Sequence, residues 1–270
     1  MKSASKRKEI NPRRLEFDKS RKIPLYWMGG DPFLSTYFNV LSILFPAGER
    51  LFVHSIEKFQ YLIIDPQLKR DIKGFKAQEH SHTYIHNLFN ENLKGRGYKI
   101  DEWEKKQQEN YDFSYRVFGN KFMLAFTVCT EHLTSVFSEK WLSDHWDEYT
   151  PDEYAKRVWD WHTVEEIDHK AVAVDVYTAV GGTYFMRALA MVIVWVTFWI
   201  EMARRMIHFL RVDKQLYKWD TFNHILKFCF HPKIGIVSFV GGVLRFFSPS
   251  FHPSKVLNDS FMEKYDSQSS

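Results

Sequence analysis

The 270 residues carry 37 Lys/Arg against 33 Asp/Glu, with 45% apolar and 17% aromatic side chains. Such a chain can bury one large core, so composition excludes an intrinsically disordered protein, and 26% charged residues exclude an ordinary multi-span membrane protein. Cys129 and Cys229 lie far apart in apolar patterns, which excludes a disulfide framework or a thiolate metal site and favours a reducing compartment.

The N-terminus is polar and basic and lacks the apolar stretch of a secretory signal, so a cytoplasmic setting is expected. Residues 1–22 hold nine Lys/Arg and three acids, which leaves 23–270 at about −2. Residues 1–33 therefore read as a basic arm: a solvated tail, a wrapping segment, or a contact for anionic lipid at the inner membrane. No nucleic-acid reading module follows it, so nucleic acid is not an expected partner.

Turn formers Pro24, Gly29-Gly30 and Asp31-Pro32 close the arm, and helical periodicity begins near Leu34. Pro46-Ala47-Gly48 predicts a break, with a fresh helix over 47–64 that has Glu49, Val53, Ile56 and Gln60 on one face. Asp65-Pro66 predicts an N-cap and first helical residue for a helix to about Lys94, with Leu68, Ile72, Phe75, Glu79, His82, His86 and Phe89 inward. A polar stretch over 101–108 leads into a surface crossover helix over 111–118. The next helix, 119–142, turns Leu124, Val128 and Glu131 inward. Thr150 as N-cap, Pro151 and Glu153 predict the start of a helix running from about Asp152 to Val180. Its inward face carries His162, Glu166 and His169 among apolar residues.

After Gly181-Gly182, the run from Tyr184 to Ile200 has only thirteen consecutive uncharged residues, 188–200, short of the ~20 that a membrane span needs. With Trp195, Phe198 and Trp199 near arginines, and with a second apolar segment over 234–247, residues 183–250 suit helices packed on the bundle, on a bilayer surface or in a homodimer face. Residues 251–270 read as a polar tail.

Two halves of the chain share one pattern: Glu49 precedes Glu79-x-x-His82 by 30 residues, and Glu131 precedes Glu166-x-x-His169 by 35. Four helices that each present these groups inward make an all-α, ferritin-like four-helix bundle over residues 34–182 with a dinuclear carboxylate site. Glu and His at i and i+3 share a face, and a carboxylate can bridge two metals while an imidazole terminates one. A donor set rich in carboxylate with a few imidazoles suits two iron ions, or manganese, better than zinc. His162, four residues before Glu166, is a seventh candidate ligand, with a supporting role as its alternative. His86 and Glu165 read as partners that orient the ligands, with Glu165 also weighed as a replacement for Glu166. Glu57 is the rival to Glu49. Asp168, His80, His132 and Lys170 read as solvent-facing or supporting groups.

The spacing His162-x-x-x-Glu166-x-x-His169 resembles that of p-aminobenzoate N-oxygenase type di-iron enzymes, and this implies a three-histidine site working on O2. More broadly, Phe45-Pro-Ala-Gly-Glu49, Gln78-Glu79-x-x-His82 with Tyr84-Ile-His-Asn87, Glu131-His-Leu-Thr134, and Trp161-His162-x-x-Glu165-Glu166-x-x-His169-Lys170 with Val174-Asp-Val-Tyr177 resemble the bacterial family called "predicted metal-dependent hydrolase" over about 24–210. The family's name implies hydrolysis, whereas the ligand pattern points to oxygen activation. The expectation is a di-iron oxidase or oxygenase acting on a small organic or lipid-like substrate, with O2 as co-substrate and an external reductant. A hydrolase using the same residues and a metal-binding, membrane-associated protein without turnover are the alternatives.

Overall fold

A computed structural model describes residues 10–143, 146–256 and Tyr265. Part of the basic arm and most of the expected polar tail lie outside these residues. The described chain is all-α, with helices α1 Pro32–Glu57, α2 Pro66–Glu91, α3 Ile100–Trp141, α4 Glu153–His169, α5 Val172–Ala179, α6 Tyr184–Val212, α7 Trp219–Phe230 and α8 Ile236–Phe246. The antiparallel bridge Met28–Pro151 is its one β pairing among the described residues.

Residues 10–30 do not hang free. Ile10 and Ile23 are buried, and so are Trp27 and Met28. Gly74 on α2 admits this segment, because a Cβ there would stand 2.2 Å from the carbonyl oxygen of Ile10. Asp31 then caps α1 by accepting from the backbone N–H groups of Phe33 and Leu34 at 2.8 and 3.0 Å.

The break expected at Pro46 does not occur, and α1 runs through it. Proline removes the N–H that would serve the carbonyl of Ser42. That carbonyl accepts instead from Asn90 Nδ2 on α2 at 3.0 Å, which offsets the loss. The crossover also differs from expectation. Helical structure begins at Ile100, and a kink at Gly119 (φ 76°, ψ 169°) divides α3 into two arms, a conformation that favours glycine.

Two further boundaries shift. Asp152, not Thr150, caps α4, with its carboxylate accepting from Tyr154 N and Ala155 N at 3.1 and 3.0 Å. Thr150 has φ 43° and Pro151 is drawn into the bridge with Met28, so the helix starts later. Helix α4 ends at His169 instead of continuing to Val180. Lys170, just beyond it, donates to the carbonyl of Val256 at 2.9 Å, a tertiary bond that holds the joint before α5.

The C-terminal helices also depart from the pattern. Helix α6 has 29 residues and is long and apolar enough to cross a membrane by length and composition, although Ala190, Met191, Val194, Met202 and Phe209 are buried against the rest of the chain. Phe185, Leu189, Val192, Val196 and Ile200 are exposed on it. Helix α7 is not announced by the periodicity.

The core is arranged in layers along the bundle. An aromatic cluster holds Trp27, Phe38, Phe89, Trp141 and Trp159, and an aliphatic-rich one holds Phe52, Phe75, Leu124, Val128, Ala173 and Val176. On α1, Ile43 belongs to the first cluster and Leu51 to the second; on α2, Phe75 belongs to the second and Ile85 to the first. Helices α3 and α4–α5 switch between Leu133 and Val136 and between Trp161 and Val172. Each helix carries its buried acids and histidines at or beside the switch. A fully buried large apolar side chain stabilises by about 1.5–3 kcal/mol, so two such layers can hold a costly polar layer between them.

Candidate metal centre

Four helices bring Glu49, Glu79, His82, Glu131, His162, Glu166 and His169 into this layer, and each exposes 1% or less of its surface. Glu166 stands at the middle. Its Oε1 lies 3.4 Å from His82 Nδ1 and 3.4 Å from His162 Nε2, while its Oε2 lies 3.3 Å from His169 Nε2. Glu79 is split in the same way, with Oε1 3.3 Å from His169 Nε2 and Oε2 3.9 Å from His82 Nδ1. Glu131 Oε2 approaches His169 Nε2 at 3.5 Å. Two donor groups result: Glu49, His82 and His162 on one side, Glu131 and His169 on the other, with Glu79 and Glu166 presenting one oxygen to each.

Every histidine in these groups uses its outer ring nitrogen elsewhere. His82 Nε2 meets Glu165 Oε2 at 3.0 Å, His162 Nδ1 meets His86 Nε2 at 3.0 Å, and His169 Nδ1 meets Gln78 Oε1 at 3.2 Å. The inward atoms His82 Nδ1, His162 Nε2 and His169 Nε2 have no hydrogen-bond partner, and neither do Glu49 Oε1, both oxygens of Glu79 and Glu131, and Glu166 Oε2. A satisfied polar network would leave no such set. Unpaired buried polar atoms cost several kcal/mol, and those of Glu49, Glu79, His82, His162, Glu166 and His169 fall into groups of three whose donor atoms lie within 4.8 Å of one another, which fits metal ions. The outer partners are those that orient metal-bound imidazoles.

Sequence reasoning missed most of these supports. His86 Nδ1 bonds Ser42 Oγ at 2.8 Å, and that hydroxyl donates to Asn90 Oδ1 at 2.7 Å. The proline-freed carbonyl and the imidazole pair therefore share one bracket. Glu165 accepts from the backbone N–H of Arg13, whose guanidinium pairs with Asp168 and whose carbonyl accepts from Trp161 Nε1 at 2.9 Å. Gln78 donates to the carbonyl of Asn11 at 3.3 Å. Thr83 donates to Glu49 Oε2 at 2.9 Å. Gln78 was visible beside Glu79, but no local signal ties residues 11–13 to this place.

Glu57, His80 and His132 fall elsewhere. Glu57 pairs with Lys76 at the surface. His80 is exposed, and His132 meets the carbonyl of Gly242 at 2.9 Å. His86 has both ring nitrogens engaged.

Charge follows from this geometry when no metal is bound. Burial pushes Glu49 up to about 8, and burial together with neighbouring carboxylates pushes Glu79 and Glu131 well above the ordinary range. Burial would raise Glu166 too, but His169, His82 and His162 around it hold it well below that range. Burial opposes a charge on His82, yet its bond to Glu165 and the nearby Glu166 carboxylate lift it to about 10. Burial lowers His86 to about 3 and takes His162 down as well. One carboxylate thus stays ionised at the middle while three around it take up protons.

No curated protein and no solved structure matches the chain. One family does, described as "predicted metal-dependent hydrolase", and it matches residues 11–256. With nearly the whole described chain covered, and with its buried Glu and His groups in place, the protein belongs to that family.

Proposed function

We propose that the chain is a dinuclear metalloenzyme of ferritin-like arrangement whose two irons activate O2 for oxidation of an organic substrate. The observation that carries the two-metal part is the split of Glu79 and Glu166, each with one oxygen towards His169 and the other towards His82. Glu49, His82 and His162 would hold one ion and Glu131 and His169 the other, with Glu79 and Glu166 available to both. Four carboxylates balance much of the charge of two oxidised irons, and a buried layer excludes bulk water. When bound, such a pair supplies electrons to O2 and takes them back from an external donor.

The chain's own residues do the positioning. Glu165 fixes the ring of His82 and His86 fixes that of His162, so both inward nitrogens face the Glu166 carboxylate. Protons held by Glu49, Glu79 and Glu131 leave as metal enters.

The second reading is hydrolysis, which the family's description favours. The same ligands would then hold redox-inert ions that acidify a water. Metal analysis of protein purified without added metal, followed by mixing the reduced iron-loaded protein with O2, separates the two. About two irons per chain with O2 consumption supports the first reading. Ester or amide turnover with zinc and no O2 uptake supports the second, and about one zinc per chain would sink the dinuclear site itself.

A further inference from the structure

A cavity of about 420 Å³ lies between α1, α3 and α6, a size suited to a small organic ligand. Its deeper wall is apolar and includes Leu41, Phe45, Phe52, Met123 and Phe137. That wall adjoins the polar layer. The ring of Phe45 stacks on His162 with centroids 4.6 Å apart, Gly48 precedes Glu49, and Thr130 and Thr134 bracket Glu131 on α3.

The opening is different. Lys106 and Arg204 are exposed lining residues, paired with Glu109 at 3.6 Å and with Glu201 at 2.7 Å. Arg205 also lines the cavity and is 1% exposed. Its Nη2 donates to Gln107 Oε1 at 2.9 Å and its Nε to Glu201 at 3.3 Å, but Nη1 has no hydrogen-bond partner. Three cations against Glu201 and Glu109 leave a net positive charge here, and one of them, the buried Arg205, holds an unused donor. Guanidinium donors suit a carboxylate or phosphate.

From this juxtaposition we infer that the cavity binds an anionic amphiphile, with its acidic head at Arg205, Arg204 and Lys106 and its acyl or alkyl chain directed towards Phe45 and Thr134 beside the metal layer. The inference rests on the metal-centre reading only for which end of the ligand lies inward. Chain burial supplies affinity and the cations choose the head: a neutral hydroxyl can accept from Arg205 Nη1 but brings no charge to strengthen the bond, and a cationic head meets like charge.

The test uses the whole chain, metal-free and Mn²⁺-loaded, with the fluorescent fatty acid cis-parinaric acid as probe. Saturable binding is expected, displaced by hexadecanoate and, at roughly tenfold or higher concentration, by hexadecyltrimethylammonium. Thr134→Phe, which fills the chain end, should weaken binding of both hexadecanoate and hexadecanol by roughly tenfold. The surface pair Lys106→Glu with Arg204→Glu should weaken hexadecanoate but not hexadecanol, so the test does not depend on whether Arg205→Met folds. No saturable binding, equal competition by the cationic amphiphile, or no effect of Thr134→Phe would overturn the cavity assignment. In the Mn²⁺ protein, stronger relaxation of the methyl carbon than of the carboxyl carbon of ¹³C-labelled hexadecanoate supports the orientation, and the reverse order overturns it. Binding of the probe in a protein that takes up no metal would leave the cavity standing and remove the metal centre alone.

Discussion

Glu165 Oε2 lies 3.0 Å from His82 Nε2, and this contact leaves Nδ1 of the same ring facing Glu166 at 3.4 Å. Two adjacent glutamates on α4 thus have opposite tasks: Glu166 faces the inward nitrogens of His82, His162 and His169, and Glu165 holds a ring from behind. Glu166→Ala should reduce bound metal to less than one ion per chain. Glu165→Gln keeps most of the metal at saturation and weakens affinity roughly 10–100-fold. Metal titration with a competing chelator measures both, and equal loss in the two variants would remove the distinction.

Metal-free protein should become less stable as pH rises from 7 to 8. Glu49, raised by burial to about 8, and His82, raised to about 10 against burial by its bond to Glu165 and the nearby Glu166 carboxylate, both bind more protons folded than unfolded in this window. Their contribution is full below the unfolded values and is lost as pH rises through the folded ones, at about 1–2 kcal/mol per pH unit. His86 and His162, lowered by burial, act in the opposite direction, but mostly below the unfolded histidine value of 6.5. Metal binding releases protons, so saturating metal should reverse the slope. Urea unfolding at pH 7 and pH 8 with and without metal reads the sign; a metal-free protein more stable at pH 8 would contradict it.

Asn90→Leu should destabilise by about 1–3 kcal/mol, because the Ser42 carbonyl that Pro46 leaves unserved loses its donor. Restoring the helical N–H with Pro46→Ala in the same chain should recover part of that loss, whereas two independent sites would give additive effects. Unfolding midpoints of the two single variants and the double one decide.

Gly74→Ala places a Cβ 2.2 Å from the Ile10 carbonyl oxygen and should lift the N-terminal segment off α2. Faster hydrogen exchange at the Arg13 amide is expected, since that N–H donates to Glu165, together with weaker metal binding. Unchanged exchange at Arg13 would show that the segment is not held there.

The helical class and the convergence of the seven Glu and His residues were legible because a Glu or His at helical spacing inside an apolar stripe is a local signal. Pro46 misled because its remedy, Asn90, lies on another helix. The Lys170 joint depends on Val256, and the Arg13–Glu165 bond spans 152 positions, so neither leaves a mark on nearby sequence. Length alone understated α6, whose charged residues Glu201, Arg204 and Arg205 join one another and α3 instead of ending the helix.

The N-terminal strap that the Arg13 N–H ties to Glu165 also sets an order in which the site's residues are synthesised. The first part of it leaves the ribosome before any candidate ligand exists, and its acceptor, Glu165, follows 152 residues later, just ahead of Glu166 and His169. A nascent chain stopped after α3 would hold Glu49, Glu79, His82 and Glu131 but neither the middle carboxylate nor the strap's anchor. The complete set of seven buried Glu and His donors therefore exists only in the nearly finished chain.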